Sequence, residues 1–201
     1  MKFAASEIVA LQSSLTVRWH QSPPGARPPP AGAEPFAALV EQNHLRNFQL
    51  WHEEDAARRD DLGFEPVYRA KRAIDRLNQE RNDFIEQLDH ALAGALQPPA
   101  DGCPRNSETP GMIIDRLSIL ALKAYHMQEE AERASATPQH RETCAARLAR
   151  IRRQEADLAT CFDELIADVV ARRRTFAVNF QFKMYNDPTL NPQLYRGRSP
   201  A

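Results

Sequence analysis

Residues 43–58 read NHLRNFQLWHEEDAAR, and this stretch decides the fold. Its spacing predicts a helix. At about 100° per residue, Asn43, Asn47, Glu54 and Arg58 fall on one side, in line with Phe36, Leu39 and Leu50. That is the side an ordinary helix buries. A buried polar group costs free energy unless it is paired. The chain therefore builds either an internal polar network or a polar-lined pocket.

Further helices extend on both sides. Residues 6–20 carry Ile8, Leu11, Leu15 and Trp19 as an apolar stripe, with Ser6 as the cap. Residues 22–35, SPPGARPPPAGAEP, are too rich in proline for helix or strand and read as a stiff connector. The helix through 43–58 is expected to span about 36–60, ended by Asp60, Asp61, Leu62 and Gly63. A third helix, from near Pro66 to about Leu96, has the stripe Val67, Ala70, Ile74, Leu77, Ile85, Leu88 and Leu92. A fourth opens at Thr109-Pro110, a cap followed by proline at the first helical position. Apolar residues occupy almost every side of it, as in a central, mostly buried helix. A fifth runs from Thr137-Pro138 to about Arg172 along Cys144, Leu148, Ile151, Leu158, Phe162, Leu165 and Val169.

The tail differs. In residues 175–188, Phe176, Val178, Phe180, Phe182 and Met184 alternate with smaller or more polar residues, which is strand periodicity. This segment is expected to lie extended over the bundle or to pair with its copy in a homodimer. The whole predicts an all-α antiparallel bundle of four long helices over 36–174. An N-terminal helix (1–21), a proline-rich linker (22–35) and an extended C-terminal arm (175–201) complete it.

A chain of 201 residues can bury a full core as one domain. Its 26 basic and 27 acidic residues nearly cancel, so nothing calls for nucleic acid or an anionic membrane as partner. No apolar run is long enough to span a bilayer, and the stretch Ile8 to Leu11 is too short for a signal-peptide core. Cys103, Cys144 and Cys161 are scattered and odd in number, which suggests reduced thiols and a cytoplasmic protein. Cys144 and Cys161 fit the apolar stripe of the fifth helix.

The inward polar pattern recurs. Arg81 sits between Ile74 and Ile85 on the third helix, with Lys71, Asn78, Asn82 and Asp89 bordering the same face. Glu155 lies between Ile151 and Leu158 on the fifth. Asp115 and His126 share one face of the fourth. A guanidinium in a core requires a carboxylate, and Glu54, Asp115 and Glu155 are the available partners. Such a set either fixes helix register as a salt-bridge and amide network or lines a ligand pocket between helices. Glu41 and His44 have the Glu-x-x-His spacing of di-iron bundles, but the second copy that such a site needs is missing. A single magnesium ion on Glu54 or Asp55, with acids from another helix, remains open. There is no glycine-rich phosphate loop and no G-x-S-x-G elbow. His20, His90 and His140 read as surface or loop histidines.

Four segments together resemble a known family: NFQLWHEEDAARRDD (47–61), KRAIDRLNQERNDFIE (71–86), ETPGMIIDRLSILALKAYHM (108–127) and KMYNDPTLNPQLY (183–195). They are similar to the bacterial domain of unknown function 4254 family over roughly 36–195, with the proline-rich 22–35 as a departure. The resemblance implies no particular activity. The family's genes often lie near glycosyltransferases of cell-surface polysaccharide pathways, which implies a cytoplasmic role beside sugar-nucleotide or glycan assembly.

Two functions follow as expectations. One is binding or processing of a small polar, phosphorylated or sugar-containing ligand. Arg58, Lys71 and Arg81 would hold anionic groups, and Glu54, Asp55 and Asp115 would act as acid–base or magnesium groups. His126 would shuttle a proton. Asn43, Asn47, Trp51, Asn78 and Glu155, with Lys183, Tyr185 and Asn186 of the tail, complete the candidate ligand contacts. The other is a non-catalytic partner protein docking on a glycosyltransferase, with the polar set holding the bundle together.

Overall fold

The computed structural model describes residues 3–24, 35–182, 187 and 189–195. They form five long helices: α1 (Ala5–Gln21), α2 (Pro35–Ala56), α3 (Phe64–Leu96), α4 (Pro110–Glu132) and α5 (Pro138–Val170). A 3-10 turn spans Asp60–Leu62, and a four-residue turn, α6, spans Pro192–Tyr195. The pairs α2–α3 and α4–α5 pack as antiparallel hairpins, and α4 touches each of the other four long helices. The all-α bundle read from the sequence is therefore the fold.

The helix boundaries follow local chemistry. Thr109 accepts a hydrogen bond from Met112 N–H (3.2 Å), and Thr137 accepts one from His140 N–H (3.2 Å), each with proline next. Ser6 does not cap α1. The helix starts one residue earlier, and Asp163 of α5 takes Ala5 N–H at 2.9 Å. A carboxylate at that end also faces the positive pole of the helix dipole. The helix α2 stops at Ala56, short of the expected residue 60, because the chain tightens into turns ahead of Gly63, whose φ is +82°.

The main core joins Ile8, Val40, Leu88, Leu92, Ile114, Leu117, Phe162 and Ile166. A second cluster, Leu50, Ala57, Ala70, Ile74 and Leu77, closes the far end of the α2–α3 hairpin. A third, Leu15, Trp19, Phe48 and Leu122, joins α1, α2 and α4. Between Val40 and Phe48 the buried face of α2 is polar: Asn43, His44 and Asn47.

Among the described residues the tail forms no strand within the chain, only an isolated parallel bridge between Arg105 and Thr175. Thr175 N–H donates to Pro104 O (3.0 Å) and Asn106 N–H to Thr175 O (2.7 Å). Beyond it Phe176 is buried, but Phe180 and Phe182 are 51% and 82% exposed. The alternation is real, yet it makes no strand without a partner edge. Gln181 N–H reaches Glu86 Oε1 of α3 at 2.8 Å. Cys161 also departs from its expected place: it is exposed, whereas Cys144 is buried. No helix described here is long and apolar enough to cross a membrane.

Candidate functional site

The polar face of α2 meets α1 and α4 in one connected set of hydrogen bonds. Asn43 Nδ2 and Asn47 Nδ2 both donate to Asp115 Oδ1, at 3.0 and 2.8 Å. Asn47 Nδ2 also donates to Ser118 Oγ at 3.0 Å. His44 Nδ1 lies 2.7 Å from Ser118 Oγ, and His44 Nε2 lies 2.9 Å from Thr16 Oγ1. Thr16 Oγ1 in turn donates to Gln12 O at 2.9 Å, and Gln12 Nε2 donates to Ile114 O at 3.1 Å.

One set of proton positions satisfies the contacts around His44. The Thr16 hydroxyl has one hydrogen, and in that set it goes to a carbonyl that can only accept. Thr16 Oγ1 must therefore accept from His44, which places the ring proton on Nε2. Nδ1 is then the acceptor, and Ser118 O–H donates to it. Ser118 accepts from Asn47, so the row runs in one direction from Asn47 through Ser118, His44 and Thr16 to Gln12.

A serine beside a histidine at 2.7 Å has the separation of a nucleophile and its base. Both residues are 0% exposed, so no substrate reaches them. The pair joins α2 to α4.

Burial holds the His44 pKa down at about 3, against an ordinary 6.5. The unfolded chain takes a proton there below pH 6.5, and the folded chain does not until about pH 3. Stability from this ring is thus full above pH 6.5 and is lost as pH falls toward 3. Asp89 has the opposite sign. Burial raises its pKa to about 6, against hydrogen bonds from Thr109 and Gly111. Its contribution is full below pH 3.8 and is lost as pH rises through 6. An Asp89→Asn chain isolates that effect. From pH 7 to pH 4 the unfolding free energy of the wild type should gain on the variant by about 2–3 kcal/mol in urea titrations. A constant difference would refute the assignment.

The network reaches a cavity. Asn47, Leu50, Trp51, Glu54, Asp55, Arg58, Arg81, Ile119 and Leu122 line a hollow of about 310 Å³ between α2, α3 and α4. Six residues singled out in the sequence meet there: Asn47, Trp51, Glu54, Asp55, Arg58 and Arg81. Arg81 Nε is buried without a hydrogen-bond partner, 3.8 Å from Asp115 Oδ1. Asp115 is thus the nearby carboxylate for Arg81, at ion-pair rather than hydrogen-bond distance.

Other candidates are placed elsewhere. Arg58 is not on a buried face. It lies beyond the last turn of α2, with its side chain 68% exposed and Nη1 2.7 Å from Glu54 Oε2. The helical extrapolation fails there because the helix has ended. Lys71 is exposed, and Asn78 is half-buried outside the cavity. Asn43 lies behind the cavity in the network. Glu155 Oε1 is buried without a partner on α5, and burial pushes its pKa up. His126 does not join Asp115. Eleven residues apart on a helix, the two are about 16 Å apart along its axis. Lys183, Tyr185 and Asn186 lie outside the described residues.

Glu54 and Asp55 both border the hollow, with no third acid lining it among the described residues. No three His, Cys, Asp or Glu side chains of those residues are placed to hold a metal ion, and Glu54 is tied to Arg58. A larger hollow, about 760 Å³, lies between α4, α5 and residues 106–108. Two of its cations are already engaged: Arg116 on Glu108 (2.6 and 2.7 Å), and Arg174 on Asn106 (3.1 Å) and Asp168 (3.5 Å). The smaller hollow, where the buried network reaches the surface, is the stronger candidate.

A family model described as a protein of unknown function, DUF4254, matches residues 37–178. The chain belongs to the DUF4254 family. No curated protein and no solved structure matches it. The matched span of the DUF4254 domain covers nearly all of α2 and the whole of α3, α4 and α5. Gln12 and Thr16 come from α1, outside that span, yet they complete the network of the DUF4254 domain.

Sequence reasoning missed Gln12, Thr16 and Ser118, and weighed His44 only as a metal ligand. A signal existed: Gln12 and Thr16 are four apart, beside Ile8, Leu15 and Trp19 on α1. It also missed that His20 is packed among aromatic rings and not at the surface.

Proposed function

We propose that the DUF4254 domain binds a small polar ligand, sugar-containing or phosphorylated, in the 310 Å³ cavity. The observation that carries this reading is Arg81. Its Nε is buried, lacks a hydrogen-bond partner, and belongs to a side chain lining an open hollow. The rest of the guanidinium is within reach, since the Arg81 side chain is 26% exposed, and an anionic or hydroxyl oxygen in the cavity would accept a charge-assisted hydrogen bond from it. Arg58 adds a second cation. Glu54 and Asp55 supply carboxylates for ligand hydroxyls, or for acid–base work if the ligand is turned over. Trp51 offers ring surface to a sugar's C–H face.

The reading puts the protein in the cytoplasm, in glycan or sugar-nucleotide metabolism. A thermal-shift screen of sugar phosphates, nucleotide sugars, nucleotides and divalent metals tests it. One ligand class should raise the melting temperature. Titration calorimetry should then show Glu54→Gln and Arg58→Met losing about tenfold or more in affinity with the fold intact, the worth of a charge-assisted hydrogen bond.

A second reading rests on the His44–Ser118 pair, which is closed to solvent. The polar set would then be a brace in a non-catalytic partner of a glycosyltransferase. A flat screen together with strong destabilisation by network substitutions would favour it.

A further inference from the structure

Behind the cavity lies a cluster that the ligand reading leaves unused. Trp51 lines the cavity, and its ring is stacked on His126, centroids 4.5 Å apart and 8° from parallel. His126 packs edge-on against His20 of α1 at 4.9 Å and lies 6.2 Å from His52 of α2. His20 and His52 are themselves 5.3 Å apart, and Tyr125 stacks on His20 at 4.1 Å.

The proton positions follow from the partners. His20 Nδ1 lies 2.8 Å from Thr16 O, a carbonyl that only accepts, so Nδ1 carries the proton. His126 Nδ1 lies 3.0 Å from Glu129 Oε2 and donates to that carboxylate. Each neutral ring therefore keeps its lone pair on Nε2. Both Nε2 atoms are buried and have no hydrogen-bond partner. A further proton on the His126 ring can only land on its Nε2. It would create a buried N–H facing no acceptor, on a cation beside two other imidazoles. That is unfavourable until the ring turns toward water.

We propose that this three-histidine cluster is a proton-sensitive backing for the Trp51 wall. Protonation releases His126 from Trp51, and the cavity loses its wall and its ligand. The last step rests on the cavity being a ligand site; the movement of Trp51 does not.

The charged surroundings support the direction. His126 is held below the usual 6.5 by burial first, with Glu129 pulling upward and His20 and His52 pushing down. His52 is lowered by burial and by His20, against Asp55, Glu129 and Glu53. On the α5 side of α4, Arg152 is engaged by Gln128 at 2.8 Å. The wall is therefore closed at neutral pH and opens below pH 6.5.

The test uses the full chain with Trp19→Phe, so that Trp51 is the sole tryptophan. Between pH 7.5 and 4.5 its emission should shift to longer wavelength in one step with a midpoint below 6.5, at constant far-UV helicity. His126→Gln should remove the step, and His90→Gln, at an exposed site outside the cluster, should leave it. No step, a step surviving His126→Gln, or a simultaneous loss of helicity would each overturn the proposal. Should Trp19→Phe fail to fold, ring-proton NMR of the unaltered chain carries the same test. The Trp51 indole N–H must then move with the His126 resonance, and a static Trp51 signal refutes the switch. A flat ligand screen beside a clear Trp51 step removes the ligand reading alone. A bound ligand beside a Trp51 signal indifferent to pH removes the switch alone.

Discussion

Asp115→Ala should lower the unfolding free energy by about 4 kcal/mol, read as a shift in urea midpoint at unchanged slope. One carboxylate oxygen accepts from Asn43 and from Asn47, and Arg81 stands 3.8 Å away. Alanine strands two amide donors in a dry interior and leaves the guanidinium without its counter-charge. Each stranded donor alone costs about 1–3 kcal/mol. An asparagine side chain in the same place would keep an acceptor oxygen, so Asp115→Asn should cost clearly less. A loss under about 1 kcal/mol for the alanine variant would mean that the network does not hold the helices together.

Gly111→Ala should cost about 3 kcal/mol, from overpacking. Gly111 lies in the first turn of α4, against α3. A Cβ there would sit 2.6 Å from Ile85 O and 2.7 Å from Asp89 Oδ1. The first is backbone in the middle of a long helix and cannot yield without moving α3. The second already takes Gly111 N–H at 2.6 Å. Gly94→Ala on α3 is the control. Nothing lies within 4 Å of its Cβ, so alanine there should be neutral or stabilise by up to about 1 kcal/mol. Equal effects at the two glycines would overturn the close-approach argument.

Periodicity carried much of this fold because apolar stripes and proline caps are local. The α4 and α5 starts at Thr109-Pro110 and Thr137-Pro138 are examples. The inward polar residues of α2 were also legible, since Asn43 and Asn47 break an apolar stripe. Their partners were not. Whether Arg81 meets Asp115, Glu54 or Glu155 depends on how two helices slide past each other, and no single-helix pattern records that. His44 was hidden for another reason: α2 packs against α1, α3 and α4, and a search for one stripe sees only one face. The tail is legible in a different way. Its alternation is local and plain, but a strand is made by its neighbour.

The one-way row from Asn47 to Gln12 has a consequence for descent. Each member's role is set by the next, so a donor cannot be exchanged for an acceptor at one position alone. Thr16, His44, Asn47 and Ser118 should therefore be kept or replaced together among relatives, which an alignment of DUF4254 chains checks. Thr16 lies outside the 37–178 span by which the family is recognised. A DUF4254 chain with another leading helix should carry a different residue at position 44.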